Sequence, residues 1–127
     1  MKHFLMKSFG LALVLNLFLT FGCSKQSVAP PEPIAIDQLP AAMEKAFSKA
    51  KPAAKELATQ VVASVQAQDY PKAYQELQTL TTHPDVTKEQ SSIASGALMT
   101  VNDLLQAAMA TGDQKSATTL RNYQLTK

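Results

Sequence analysis

Cysteine, glycine, histidine and aromatic residues are all scarce in this chain of 127 residues, and tryptophan is absent. A single cysteine, Cys23, leaves no partner for an intramolecular disulfide. The glycines form no glycine-rich phosphate loop. No serine sits in a G-x-S-x-G elbow, and Ser95-Gly96 falls within a helical pattern rather than at a strand end, so nucleophilic catalysis lacks its base and scaffold. Beyond residue 22 the only histidine is His83, which reads as a loop residue beside Pro84; a zinc site needs three or four converging ligands. The carboxylates Glu44, Glu56, Glu76, Glu89 and Asp103 are spread over several segments, mostly beside lysines or on polar faces, as solvated surfaces are. We expect no enzyme, no metal and no cofactor.

What is present begins at the N-terminus. Met1 to Lys7 carries two lysines and no acid, Ser8 to Phe21 is almost wholly apolar, and small Gly22 stands directly before Cys23. This is the charged, apolar, small-residue order of a secretory signal. The apolar run is about 14 residues, short of the roughly 20 that span a bilayer as a helix.

The placing of Gly22 and Cys23 after Leu19-Thr20-Phe21 resembles the lipobox of bacterial lipoproteins. The resemblance implies that residues 1–22 are a signal peptide and that Cys23 is acylated and becomes the mature N-terminus. It also implies attachment to a membrane, since two or more acyl chains anchor stably where one does so only marginally. The leucine lies one residue earlier than is usual in that motif, and bulky Phe21 stands where a small residue is common. Ser24, rather than aspartate, follows the cysteine, which resembles the outer-membrane default of Gram-negative lipoproteins. The alternative is an ordinary cleavage site at Thr20-Phe21-Gly22, releasing a secreted or soluble periplasmic protein with an exposed thiol.

Lys2 and Lys7 account for the whole excess of 12 basic over 10 acidic residues, so the chain from Cys23 onward is balanced. That leaves no general case for nucleic-acid binding. Lys45, Lys49, Lys51 and Lys55 form one basic cluster, flanked by Glu44 and Glu56, which reads as a solvated face. Residues 23–38 hold Pro30, Pro31 and Pro33 with no sustained apolar period and read as a tether, reaching roughly 45 Å at about 3.1 Å per residue.

Residues 39–127 read as an all-α domain of about five helices. Leu39, Met43, Ala46, Phe47 and Ala50 mark the first, with Asp37 as its candidate cap. Pro52 opens a second along Ala54, Leu57, Ala58, Val61, Val62 and Val65, although one long helix kinked at Pro52 fits the same phase. Asp69 caps a third with inner residues Tyr70, Ala73, Tyr74, Leu77 and Leu80. Thr87 and Gln90 have capping-box spacing and open the longest helix, buried from Ile93 to Met109. Gly96 within it costs about 1 kcal/mol relative to alanine, which points to close crossing by another helix. Gly112 ends that helix and Asp113 caps the last, with Ala117, Leu120 and Tyr123 or Gln124 inward.

A weak repeat at an offset of 44 residues superposes Ala50, Leu57, Val61, Val65, Asp69 and Ala73 on Ala94, Val101, Leu105, Met109, Asp113 and Ala117. It predicts stacked antiparallel helical hairpins, each covering the other's apolar face. The Asp69-Tyr70 turn followed by Lys72-Ala73 loosely resembles the hairpin turn of tetratricopeptide repeats, which implies helical-hairpin packing and no more. The expected role is non-catalytic binding or scaffolding of a protein partner in the envelope. Two alternatives stand beside it: a carrier holding an apolar ligand between its helices, and a homodimer in which a second copy completes the face Ile93 to Met109.

Overall fold

Alanine-rich sequence with apolar residues every third and fourth position folds here into five helices, and a computed structural model describes residues 30–126. They are α1 (Leu39–Phe47), α2 (Pro52–Gln66), α3 (Tyr70–Thr81), α4 (Lys88–Ala110) and α5 (Gln114–Leu125), with no strand among the described residues. The expected signal peptide, Cys23 and the first part of the expected tether lie outside those residues.

α1 packs on α2, α2 on α3, α3 on α4, and α4 back on α1, so four helices close a ring. Leu39, Met43, Ala54, Val61, Leu77, Leu80 and Val101 fill its centre with no exposed surface. α5 lies outside the ring against α3 and α4. The apolar face of α4 that a second copy would complete is thus covered largely within one chain. Met109, expected on that face, is the exception at 44% exposed.

α1 and α2 are separate helices. α1 closes at Ser48, and Lys51 takes extended backbone (ψ 152°), the conformation favoured for a residue before a proline. Asp37 does not cap α1. Its N-cap is Gln38, without a side-chain hydrogen bond, and the first donors are met by the Ala35 carbonyl, which accepts from Gln38 N at 2.9 Å and Leu39 N at 3.0 Å. The Thr87–Gln90 capping box forms as expected, with both reciprocal hydrogen bonds present.

The offset of 44 residues is most visible in the two tight turns. Asp69 N–H bonds to Ser64 O at 2.9 Å and Gln68 N–H to Val65 O at 3.0 Å; 44 residues later Asp113 N–H bonds to Ala108 O at 3.1 Å and Gly112 N–H to Met109 O at 3.0 Å. Each pair closes a Schellman motif, in which the residue after the cap turns left-handed. Those residues are Gln68 (φ 57°) and Gly112 (φ 94°). Asp69 and Asp113 then cap α3 and α5 by accepting from Lys72 N and Ser116 N. Because a side chain is strained where glycine is not, Gln68→Gly should stabilise the domain by about 0.5–1 kcal/mol and Gly112→Ala should destabilise it by at least as much. Paired urea melts of the two variants check the opposite signs.

α5 turns Leu120 and Tyr123 against the core as expected, but its most buried residues are polar. Ser116 and Thr119 are its buried residues, Ala117, Leu120 and Tyr123 are half-buried, and Gln124 is exposed. Burial of two hydroxyls is tolerated because each has an acceptor: Ser116 Oγ donates to the Asp113 carboxylate, and Thr119 Oγ1 donates to Lys115 O at 2.9 Å. Tyr123 docks α5 on α3 by meeting Tyr74 edge-on, ring centroids 5.7 Å apart.

The second half of the expected tether is docked on the bundle. Ile34 and Ile36 pack against the core, and Thr100 Oγ1 both accepts from Ile34 N–H at 3.0 Å and donates to Ile34 O at 2.6 Å. This strap, and not another helix, makes the close crossing at Gly96: a Cβ there would overlap the Glu32 carbonyl oxygen and stand 3.2 Å from Ile34 Cγ1. The apolar signal of the strap is two isoleucines separated by one residue, too brief to register beside three prolines.

Candidate functional site

A groove of about 550 Å³ runs between α4 and α5, with Tyr74 of α3 and Tyr123 at its edge. Its polar lining is Asn102 and Gln106 from α4 and Arg121 and Gln124 from α5. None of these four side chains forms a hydrogen bond or ion pair within the described residues. Asn102 and Gln106 are one turn apart on the same helix face. No carboxylate lines the groove, and α5 contains none.

The offset of 44 residues shows what is unusual about this lining. Asn102, Gln106, Arg121 and Gln124 correspond to Ala58, Val62, Leu77 and Leu80, all four of which are buried apolar residues of the first hairpin. Over Ala58 and Val62 the first hairpin carries α1, with Met43 and Phe47 lining the same cleft. At the equivalent place on the second hairpin there is no covering helix, and the surface is polar. Terminal units of stacked helical arrays carry such polar outer faces because no neighbour covers them.

A second cleft, between α1 and α2, has a volume of about 250 Å³ and a mostly apolar floor of Met43, Phe47, Ala58 and Val62. Glu44 and Lys55 stand on its rim. It is smaller than the roughly 300–1,000 Å³ of sites that enclose a small-molecule ligand.

The other residues singled out in the sequence do not converge. His83 Nδ1 accepts from Asp85 N at 3.2 Å and so serves its own loop. Of the lysine cluster, Lys51 pairs with Asp85 at 3.0 Å, which brings it against the loop before α4. Glu76, expected on a solvated face, is largely covered: Ser64 Oγ donates to it at 2.7 Å across the α2–α3 contact, with Lys72 at 3.8 Å. Among the described residues no group of three or more His, Cys, Asp or Glu side chains is placed to hold a metal ion, and no helix is long and apolar enough to cross a membrane.

The fold alters the acidity of the two cap aspartates. A hydrogen bond from Lys115 Nζ, at 3.1 Å, leads the causes that hold the Asp69 carboxyl below its ordinary value; for Asp113 the leading cause is the Ser116 hydroxyl. A carboxyl with a depressed folded pKa stabilises the fold above its unfolded value, and that contribution is lost as pH falls through the folded one. The melting temperature should therefore hold from neutrality to about pH 5 and fall below about pH 4. The double variant Asp69→Asn, Asp113→Asn keeps both caps without the charge, so its melting curve should lose part of that acid limb.

Nothing in the spacing of Asn102, Gln106, Arg121 and Gln124 marks them as a set. The signal that finds them is the comparison of the two hairpins at an offset of 44 residues, position by position, for apolar residues replaced by polar ones. The chain matches no protein-family model, no curated protein and no solved structure.

Proposed function

We propose that this chain is a lipid-anchored protein of the bacterial cell envelope, acting as a non-catalytic module that binds or scaffolds a protein partner. One observation carries the binding role: the α4/α5 groove presents four polar side chains, without partners among the described residues, where the first hairpin has buried apolar ones. A face so built is suited to a hydrogen-bonding surface rather than to further core.

The address rests on the lysines, the apolar run, and Gly22 before Cys23. The resemblance to the lipobox makes Cys23 the acylated residue and the outer membrane, facing the periplasm, the favoured site. With the strap docked on α4, only Ser24 to Pro31 separates the anchor from the bundle, a reach of about 25 Å at 3.1 Å per residue. The domain would work close to the lipid surface, at about half the reach of a tether extending to α1.

Intact mass of the membrane-extracted protein tests the address. The expected mass is that of residues 23–127 plus acyl groups, with Cys23→Ala losing both the added mass and the membrane fraction. A retained signal peptide, or a mature chain starting at Cys23 with an unmodified thiol, contradicts the anchor.

The apolar floor of the α1/α2 cleft favours a second reading, a carrier of a small apolar ligand. A fluorescent lipid analogue separates the two: saturable binding abolished by Ala58→Phe, which fills the cleft, supports the carrier, and no saturable binding leaves the groove as the site.

A further inference from the structure

Building on that protein-binding reading, we infer that the α4/α5 groove receives an extended peptide segment bearing a carboxylate, with Arg121 holding the carboxylate and Asn102 and Gln106 bonding the peptide backbone. Four residues along a helix advance about 6 Å. Two residues along an extended chain advance about 6.6 Å, and those two share one side. Asn102 and Gln106 therefore match the spacing of alternate residues in an extended peptide. Each amide offers a donor and an acceptor, as does each peptide group it would meet.

Arg121 supplies the charge selection. It lines the same groove with no ion pair among the described residues, and the absence of any lining carboxylate leaves its field uncompensated there. A planar guanidinium binds a carboxylate through two parallel hydrogen bonds, a geometry that neutral amides do not reproduce. Gln124, three residues on, stands on the same helix face as a further donor and acceptor. Half-buried Leu120 and exposed Met109 give the groove apolar ground for a flanking side chain.

The same chemistry argues against other occupants. A further helical hairpin or an acyl chain would cover Asn102, Gln106, Arg121 and Gln124 without satisfying them, and buried polar groups left unpaired oppose binding. A second copy presenting its own α5 to this groove would bring no carboxylate to Arg121, since α5 has none.

The test uses the full-length chain and two pools of fluorescent decapeptides, identical except for glutamate or glutamine at one central position. We expect the glutamate pool to bind about tenfold more tightly by anisotropy, the share a charge-assisted pair contributes. Arg121→Gln should bring the two pools level, and Asn102→Ala with Gln106→Ala should weaken both alike. These side chains are outside the core, so circular dichroism should be unchanged in all variants. Equal binding of the two pools by the unaltered chain, or a glutamate preference that survives Arg121→Gln, overturns the assignment, as does failure of both pools to bind. A photo-crosslinker placed in turn at Gln106 and at exposed Lys49 separates this inference from the reading beneath it. Crosslinking of one envelope protein from Lys49 alone would keep the protein-binding role and remove the groove; no crosslink from either position would remove both.

Discussion

Leu77→Ala should lower the melting temperature of the domain by roughly 10–30 °C. Leu77 is fully buried at the middle of α3, the helix that touches α2, α4 and α5. Truncating such a leucine removes its transfer free energy and leaves a cavity, together about 2–5 kcal/mol. A domain of this size melts about 4–8 °C lower for each kcal/mol lost, and its whole stability is of the order of 5–15 kcal/mol. Few aromatic side chains share the load: Phe47 and Tyr74 are the only ones in the buried core of the described residues. Leu125→Ala serves as the control, since Leu125 is 78% exposed and its loss should leave the melt almost unmoved. Thermal melts followed by far-ultraviolet circular dichroism decide the matter, and a loss under about 1 kcal/mol at Leu77 would mean that neighbouring helices close over the gap.

Gly96→Ala should detach the strap while leaving the helices standing. Two opposed effects meet at this position. Alanine favours the helix by about 1 kcal/mol, but its Cβ would overlap the Glu32 carbonyl oxygen, and overpacking against backbone costs about 1–3 kcal/mol unless the neighbour moves away. The strap can move away because its polar fixture is a single side chain, Thr100. Amide exchange at Ile34 should therefore rise by an order of magnitude or more in Gly96→Ala, while protection in α2 and α3 stays as it was. Thr100→Val, which removes the hydroxyl with little change of shape, should produce the same release by a different route. If Ile34 exchanges at the rate of a free peptide in the unaltered chain, the strap is not docked in solution and its effect on anchor reach disappears.

Particular residues explain how far the sequence could be read. The stripe of α2 from Ala54 to Val65 and the inner face of α3 from Ala73 to Leu80 were legible because their burial follows from helical period alone. The caps at Asp69, Thr87 and Asp113 were legible because capping is a local exchange between a side chain and a donor three residues on. Pro52 marked a break but left one kinked helix or two open, and the extended backbone of Lys51 makes them two.

Other features depend on contacts between distant parts of the chain. The inward face of α5 is set by the Tyr74 ring and by hydroxyls that find acceptors within their own turn, so Ser116 and Thr119 go inside although their composition reads as outside. Glu76 is covered because Ser64 of α2 reaches it. Asp37 misses its cap because the Ala35 carbonyl is already there.

Sequence by itself determined the all-α class, the repeat at an offset of 44 residues and the helix starts at Asp69, Thr87 and Asp113, since each is governed by interactions within a few residues along the chain. Tertiary structure alone decided three things: that α1 closes a ring with α2 and α4, that Glu32 to Ile36 lies along α4 at Gly96 and Thr100, and that Asn102, Gln106, Arg121 and Gln124 face one groove. Each depends on which surface remains uncovered once the helices have packed. Periodicity assigns every apolar stripe to a core, but it does not say which neighbour covers the stripe or where the neighbours run out.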